Sequence, residues 1–284
     1  MFESVLWFEI GLVVMSVAVG ILGAILGLGG GIMLVPGLTL LFGVNVRYAI
    51  GASIVSVIAT SSGAAASFVR DHLTNLRLAM FLNVATVTGA LVGAFLAAVL
   101  ETRWLFLLFA LMLLQSAWFM IRRPDASQVE GQLLDPWAER LSLTGSYWDR
   151  VLGRDVSYHP VRIWFGFALM WGAGVLSALL GIGSGALKVL AMDSAMRLPI
   201  KVSSATSNFM IGVTAAASAG TYFVRGDVVP ELAAPVALGV LAGAWAGTRL
   251  MVRLPSQRIR HVFVIVLVVL GVQMALRGFG IRIR

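Results

Sequence analysis

Eight long apolar runs decide the range of folds open to this chain. A membrane-spanning helix needs about 20 consecutive apolar residues. The sequence predicts such helices at roughly 5–27, 48–69, 77–100, 103–121, 162–182, 202–224, 231–251 and 259–276. The composition agrees, since 59% of the residues are hydrophobic and only 12% are charged, against about 25% in soluble domains. The predicted fold class is an all-α polytopic membrane protein, which excludes a soluble enzyme.

Two glycine clusters interrupt this pattern at matching positions. Gly27-Leu28-Gly29-Gly30-Gly31 precedes a short apolar piece at 32–43, and Gly181-Ile182-Gly183-Ser184-Gly185 precedes another at 186–198. The clusters lie 154 residues apart, and Gly89 and Gly93 recur 150 residues later as Gly239 and Gly243. The sequence therefore predicts two repeats of transmembrane helices, at 1–121 and 161–284. In each repeat a glycine-broken first helix is followed by a short half-helix.

The distribution of basic residues favours an inverted arrangement of the repeats. If each glycine cluster turns the chain back, each repeat crosses the membrane an odd number of times. That topology places 14 Lys and Arg residues on one side and six on the other, whereas parallel repeats divide them 12 to 8. Positive residues concentrate on the cytoplasmic side. We therefore expect inverted repeats, both termini outside and the segment 122–160 in the cytoplasm.

The segment 122–160 is the polar linker between the repeats. It contains several large side chains, including Trp137, Tyr147 and Trp148, that a bare linker would not need. Strand-like residues on either side of Gly153, from Ser146 to Tyr158, predict a short hairpin. A small ordered cytoplasmic cap is expected, and a loop lying on lipid headgroups is the alternative.

The net charge of +8 is explained by membrane topology rather than by a nucleic-acid partner. No basic residue precedes Arg47, so the first apolar run is expected to remain as a helix rather than to be a cleaved signal peptide. The sequence contains no cysteine, which excludes disulfides and thiol chemistry. Neither a metal nor a cofactor is expected.

Lys188 is the basic residue that lies inside an apolar run rather than at its edge. A charge within the membrane is costly and is therefore a functional hypothesis by default. It follows the second glycine cluster, where the start of a short helix offers free N–H groups to an anion. Broken helices in paired repeats are typical of transporter binding sites. Close helix packing by the glycines, and snorkelling of Lys188 or its pairing with Asp193, are the structural alternatives.

Hydroxyl and amide side chains supply candidate neutral donors for the same anion. The candidate substrate-binding residues are Lys188, Ser53, Thr60, Asn83, Thr206, Ser207 and Asn208, with Gly29, Gly30, Gly31, Gly183, Ser184 and Gly185 at the breaks. Many such hydroxyls simply bond a carbonyl of their own helix. Carboxylates and histidines lie only near the ends of the runs, and no activated nucleophile is recognisable, so catalysis is not expected.

Several motifs resemble the sulfite exporter TauE/SafE family over nearly the whole chain. They are the first glycine cluster with Val35-Pro36, Tyr48-Ala49-Ile50-Gly51-Ala52-Ser53, Ala59-Thr60-Ser61-Ser62-Gly63, Gly181-Ile182-Gly183, Lys188-Val189 and Ala205-Thr206-Ser207-Asn208-Phe209-Met210-Ile211-Gly212-Val213-Thr214. The resemblance implies a permease for sulfur-containing anions such as sulfite, thiosulfate or organosulfonates, usually an exporter. Three residues depart from the family pattern. Ser184 replaces a glycine, Leu190 a proline, and Asn83 a glutamate whose loss puts proton coupling in doubt.

The expected function is a secondary transporter that exports small sulfur-containing anions across the inner membrane by alternating access. A passive anion channel and a non-transporting membrane scaffold are the alternatives. The expected partners are the anion and the lipid bilayer, without nucleic acid. A coupling ion such as a proton, and assembly as a homodimer, stay open.

Overall fold

The computed structural model describes residues 2–26, 30–70, 72–122, 135–149, 153–251 and 256–281. These residues form eleven α-helices, one π-helical turn and one two-stranded sheet. In chain order they are α1 Phe2–Leu26, α2 Gly31–Leu41, α3 Val46–Arg70, α4 Leu76–Val99, α5 Thr102–Arg122, α6 Pro136–Arg140, β1 Gly145–Asp149, β2 Arg154–Tyr158, α7 Ile163–Leu180, α8 Gly185–Leu190, the π turn Ala191–Ala195, α9 Ile200–Val224, α10 Pro230–Met251 and α11 Ser256–Gly278.

The eight predicted long helices are confirmed as α1, α3, α4, α5, α7, α9, α10 and α11. By length and composition, α3, α4, α7 and the Pro230–Gly247 part of α10 could cross a membrane, and these are the four found among the described residues. Large apolar side chains such as Phe95, Trp104 and Trp245 are exposed on the outer faces. An apolar exterior of this kind suits lipid as the surrounding solvent.

Each glycine-broken region is a hairpin of one long and one short helix. In the first, the Phe8 ring near the start of α1 meets the Phe42 ring just after α2, with 5.5 Å between ring centroids. In the second, the Val161 amide before α7 donates to the Met196 carbonyl after the π turn at 3.1 Å. Both short helices therefore return to the end from which their long partner started, and the predicted broken helices are confirmed.

The start of α2 meets the turn of the second hairpin inside the protein. Gly181 and Gly183 have φ values of 64° and 71°, a left-handed backbone that favours glycine. A Cβ atom on Gly31 would lie 3.1 Å from the Ile182 Cα atom, so a larger residue would push these two elements apart. The Ser53 hydroxyl of α3 donates to the Gly181 carbonyl at 2.7 Å and closes the second turn.

The two halves pack against each other in matching pairs. Helix α10 crosses α1 at Gly239 and Gly243, and α4 crosses α7 at Gly89 and Gly93. At Gly93 and Gly243 a Cβ atom would collide with a carbonyl oxygen of the facing helix. Small residues allow this close approach of helices in membranes.

The equivalent helices of the two halves run antiparallel where they touch. In the α3–α9 pair, Gly51 near the start of α3 faces Asp227 just after α9, and Ser61 faces Gly212. In the α5–α11 pair, Gly271 faces Leu114 and Gly278 faces Leu107. In each pair one helix therefore rises where its equivalent descends.

The predicted hairpin between the repeats is confirmed as β1 and β2. The strands pair antiparallel from Gly145 opposite Tyr158 to Asp149 opposite Arg154. With α6 they form a small unit, here called the cap, comprising residues 135–149 and 153–160. The Asp135 carboxylate accepts from the amides of Trp137 and Ile163, which ties the cap to the start of α7. Its buried Leu143, Tyr147 and Tyr158 join an apolar cluster with α4, α7, the π turn and α9.

Candidate functional site

Lys188 lies at the centre of the candidate site. Ser184 adopts a left-handed backbone with φ of 44° and precedes α8, whose second turn carries Lys188. The side chain is 0% exposed, so it does not snorkel to the surface. Helical side chains lean toward the N-terminal end of their helix. The ammonium is therefore held near the turn of the hairpin, deep in the protein.

The ammonium group is held by neutral acceptors on α9. Lys188 Nζ donates to Thr214 Oγ1 at 2.8 Å and to the Met210 carbonyl at 3.4 Å. In the part of the chain that the structure describes, no carboxylate forms an ion pair with Lys188. A buried cation with only neutral partners leaves its charge uncompensated, which favours an anion beside it.

Two side chains of α4 continue this polar chain into the first half of the molecule. Thr214 Oγ1 lies 3.2 Å from Thr86 Oγ1, and Thr86 Oγ1 lies 3.3 Å from Asn83 Oδ1. Both α4 residues are buried, and the Asn83 Nδ2 group has no hydrogen-bond partner among the described residues. The network therefore couples α8 and α9 of the second half to α4 of the first half.

Two serines lie beside the start of α8, Ser184 directly before it and Ser207 on the neighbouring α9. Ser207 Oγ donates to the Gly185 carbonyl at 3.2 Å, which fixes α8 against α9. The Ser184 hydroxyl is buried at the turn, and no residue in the described ranges forms a hydrogen bond with it. With Lys188 and Asn83, these groups provide one positive charge and several neutral donors, a set suited to a small oxyanion.

The other predicted residues make local or structural bonds. Thr60 and Asn208 bond carbonyls of their own helices. Ser53 bonds Gly181, and Thr206 accepts from the Asn75 amide at 3.2 Å near the cap. Gly30 and Gly31 begin α2, Gly183 lies in the second turn, and Gly185 begins α8, whereas Gly29 is outside the described residues. Lys188, Asn83, Ser184, Ser207 and Gly185 are thus brought together.

Thr214 and Thr86 belong to this network but are not among the residues predicted from the sequence to bind substrate. Thr214 is seven residues after Ser207 and Thr86 is three after Asn83, so each shares a helix face with a predicted residue. That spacing is the signal that could have found them. Across the described residues, no group of three or more His, Cys, Asp or Glu side chains could hold a metal ion.

These features define the class of the protein, a multi-pass membrane protein with two broken helices and a buried cation between its halves. The chain belongs to the sulfite exporter TauE/SafE family, whose model matches residues 12–274. The chain is therefore a membrane transporter.

Two curated relatives from Bacillus subtilis (strain 168) are similar over most of their length. "Probable membrane transporter protein YunE" is 25% identical over 278 residues, covering 94% of this chain and 97% of the relative. "Probable membrane transporter protein YdhB" is 25% identical over 241 residues, covering 84% and 88%. No solved structure matches the chain significantly.

Proposed function

We propose that this protein is a secondary transporter, and more specifically an exporter, of small sulfur-containing anions such as sulfonates or sulfite. The observation that carries the proposal is the fully buried Lys188, whose hydrogen-bond partners in the described part of the chain are neutral, beside the meeting point of the two hairpins. Transporter sites lie where broken helices of two repeats meet. The sulfur anion is suggested by the family description, sulfite exporter.

In the proposed site, Lys188 supplies the charge that binds the anion. Ser184, Ser207 and Asn83 supply neutral donors, because each has a buried polar group at the start of α8 or at the end of the Lys188 network. Thr214 and Thr86 orient the ammonium. The protein acts by binding and releasing the anion, without covalent chemistry.

We further propose that the halves are inverted repeats that alternate access by rocking against each other. The antiparallel α3–α9 and α5–α11 pairs support this, because a twofold axis in the membrane plane makes equivalent helices antiparallel. The cap then faces the cytoplasm, the termini lie outside, and the protein resides in the inner membrane. Basic residues concentrated in and around the cap support this orientation.

The test is anion counterflow in proteoliposomes, with sulfite and a panel of sulfonates as substrates. Lys188→Met is expected to lower transport about 30- to 1,000-fold, because it removes the buried charge that would pair with the anion. Lys201→Met is the matched control, since Lys201 is the other lysine of the sequence and is exposed. Normal counterflow by a folded Lys188→Met protein would overturn the proposed site.

A further inference from the structure

Asn75 joins three parts of the molecule at the cap end. Its backbone amide donates to Thr206 Oγ1 of α9 at 3.2 Å. Its side-chain Nδ2 donates to the Leu143 carbonyl at 2.9 Å and to the Tyr158 phenol oxygen at 3.1 Å, both in the cap. Its Oδ1 accepts from the Leu78 amide at 3.0 Å and caps α4. One residue thus connects the first half, the cap and the second half.

A line of polar groups leads from this junction to Lys188. Ser203, Ser207, Met210 and Thr214 follow one face of α9 at spacings of three and four residues, and they are all buried. Ser207 touches the start of α8, while Met210 and Thr214 hold the Lys188 ammonium. At about 1.5 Å rise per residue, the eleven residues from Ser203 to Thr214 span about 16 Å. The cap end and the central site are therefore linked along α9.

Three buried polar atoms, close to the Asn75 junction in the chain or along α9, lack a hydrogen-bond partner among the described residues. They are Ser203 Oγ, one turn before Thr206, Thr74 Oγ1, beside Asn75 in the chain, and His159 Nδ1, beside Tyr158. Buried polar groups are normally hydrogen-bonded, so each exception calls for an explanation. A polar solute that passes between the cap and α9 would supply the missing partners.

The junction also suits an anion electrostatically. Burial raises the pKa of Tyr158, although the hydrogen bond from Asn75 partly offsets this, so the phenol is neutral at physiological pH. The groups that Asn75 ties together are then amides, hydroxyls and carbonyls, with no negative charge among them.

We propose that Asn75 is the latch that closes the cap-side route by which the anion reaches Lys188. Opening separates the cap and α9 at Asn75 and exposes Ser203, Thr74 and His159 to the passing anion. This inference rests on the proposed transport function, because the route ends at the proposed anion site.

The opposite end of the molecule is closed by a separate set of contacts. Arg225, after α9, forms an ion pair with Asp227 at 2.7 Å and donates to the Ala94 carbonyl of α4 at 2.9 Å. Its guanidinium also lies 5.1 Å from the centroid of the Tyr222 ring. Loss of the hydrogen bonds from the Asn75 side chain should therefore open the cap end and leave the Arg225 end closed.

The cysteine-free chain allows a direct test of access. Ser203→Cys reports on the cap end and Ser218→Cys on the opposite part of the same helix, since both serines are buried. Each reporter is labelled with a sulfonated maleimide in detergent, with and without Asn75→Asp. Aspartate keeps the Oδ1 acceptor for Leu78 and can accept from the Tyr158 hydroxyl, but it cannot donate to the Leu143 carbonyl, which its negative charge repels. Labelling of Ser203→Cys is expected to rise about tenfold while Ser218→Cys is unchanged.

If Asn75→Asp accelerated labelling equally at both reporters, or accelerated it at neither, the proposed latch would be wrong. Tyr158→Phe is the second variant, and it should raise Ser203→Cys labelling in the same direction but less, because it removes one acceptor. No increase with either variant, in proteins whose thermal stability shows them folded, also refutes the proposal. Labelling needs no substrate, so normal counterflow by Lys188→Met would refute the transport site without altering the labelling result.

Discussion

The two hairpins share a fold but not a chemistry. The α1–α2 and α7–α8 hairpins each have a glycine cluster between their helices, and the start of α2 touches the second turn at Gly31 and Ile182. The 154-residue offset between the clusters pairs Lys188 of α8 with Leu34 of α2. Both side chains are 0% exposed, yet one is charged and the other apolar. The hairpin therefore forms around either residue.

The α4 residues near Lys188 are polar, whereas their α10 counterparts near Leu34 are apolar. The 150-residue offset between Gly89 and Gly239 pairs Asn83 and Thr86 of α4 with Ala233 and Val236 of α10. All four residues are buried, and Ala233 and Val236 share an apolar cluster with Leu34. The polar network thus has an apolar counterpart, which shows that the architecture is separable from the polar site. Glycine at the turns and crossings permits the fold, and Lys188 with its acceptors makes one copy polar at this position.

Adding a charge to the first hairpin, at the position equivalent to Lys188, should have the largest effect on stability. Leu34→Lys would place an ammonium group in an apolar cluster with Ala233 and Val236, the counterparts of Asn83 and Thr86, whose side chains cannot accept a hydrogen bond. We expect the free energy of unfolding to fall by about 3–5 kcal/mol, the cost of an uncompensated buried charge. Thermal and SDS-induced unfolding in detergent would measure it.

Leu34→Met is the matched control, because it keeps the volume and adds no charge. It should cost less than about 1.5 kcal/mol. If Leu34→Lys were as stable as this control, the two hairpins would tolerate charge equally, and the contrast between them would not depend on their acceptors.

Enlarging the glycines at the helix crossings should instead affect both halves alike. A Cβ atom at Gly93 or Gly243 would meet a backbone oxygen of the facing helix. Gly93→Ala and Gly243→Ala should therefore each lower the free energy of unfolding by about 1–3 kcal/mol, the usual cost of overpacking. Gly172→Ala in α7 is the control, since no atom lies within 4 Å of its Cβ position. It should be neutral or stabilising by up to about 1 kcal/mol. A large loss at one crossing and none at the other would show that the halves do not share their packing.

Much of this architecture is predictable from the sequence because its signals are local. Apolar runs of about 20 residues mark the long helices. The glycine clusters mark the breaks, because Gly181 and Gly183 adopt positive φ. Residues on either side of Gly153 give the β hairpin of the cap. Each of these features depends on residues that are adjacent or nearly adjacent in the chain.

The membership of the polar network is harder to predict because it depends on packing between distant helices. Thr214 and Thr86 are separated by 128 residues and meet only where α9 crosses α4. Ser53 and Thr206 were plausible donors by type, but packing directs Ser53 to the Gly181 carbonyl and Thr206 to the Asn75 amide. Side-chain type therefore identifies candidates, and helix crossings decide which of them meet Lys188.

The smallest predicted effect is that of replacing Thr214, the α9 hydroxyl that accepts from the Lys188 ammonium. Thr214→Val keeps the shape of the side chain but removes the oxygen that holds Lys188 Nζ at 2.8 Å. We expect sulfite or sulfonate to bind about tenfold more weakly, near the lower end of the about 1.5–3 kcal/mol that hydrogen bonds to charged groups contribute, because the Met210 carbonyl still holds the ammonium. Isothermal titration of the purified protein would measure the dissociation constant. Thr88→Val is the control, since Thr88 is exposed and bonds only carbonyls of α4. Unchanged or tighter binding by Thr214→Val would mean that the threonine competes with the anion for the ammonium group rather than positioning it.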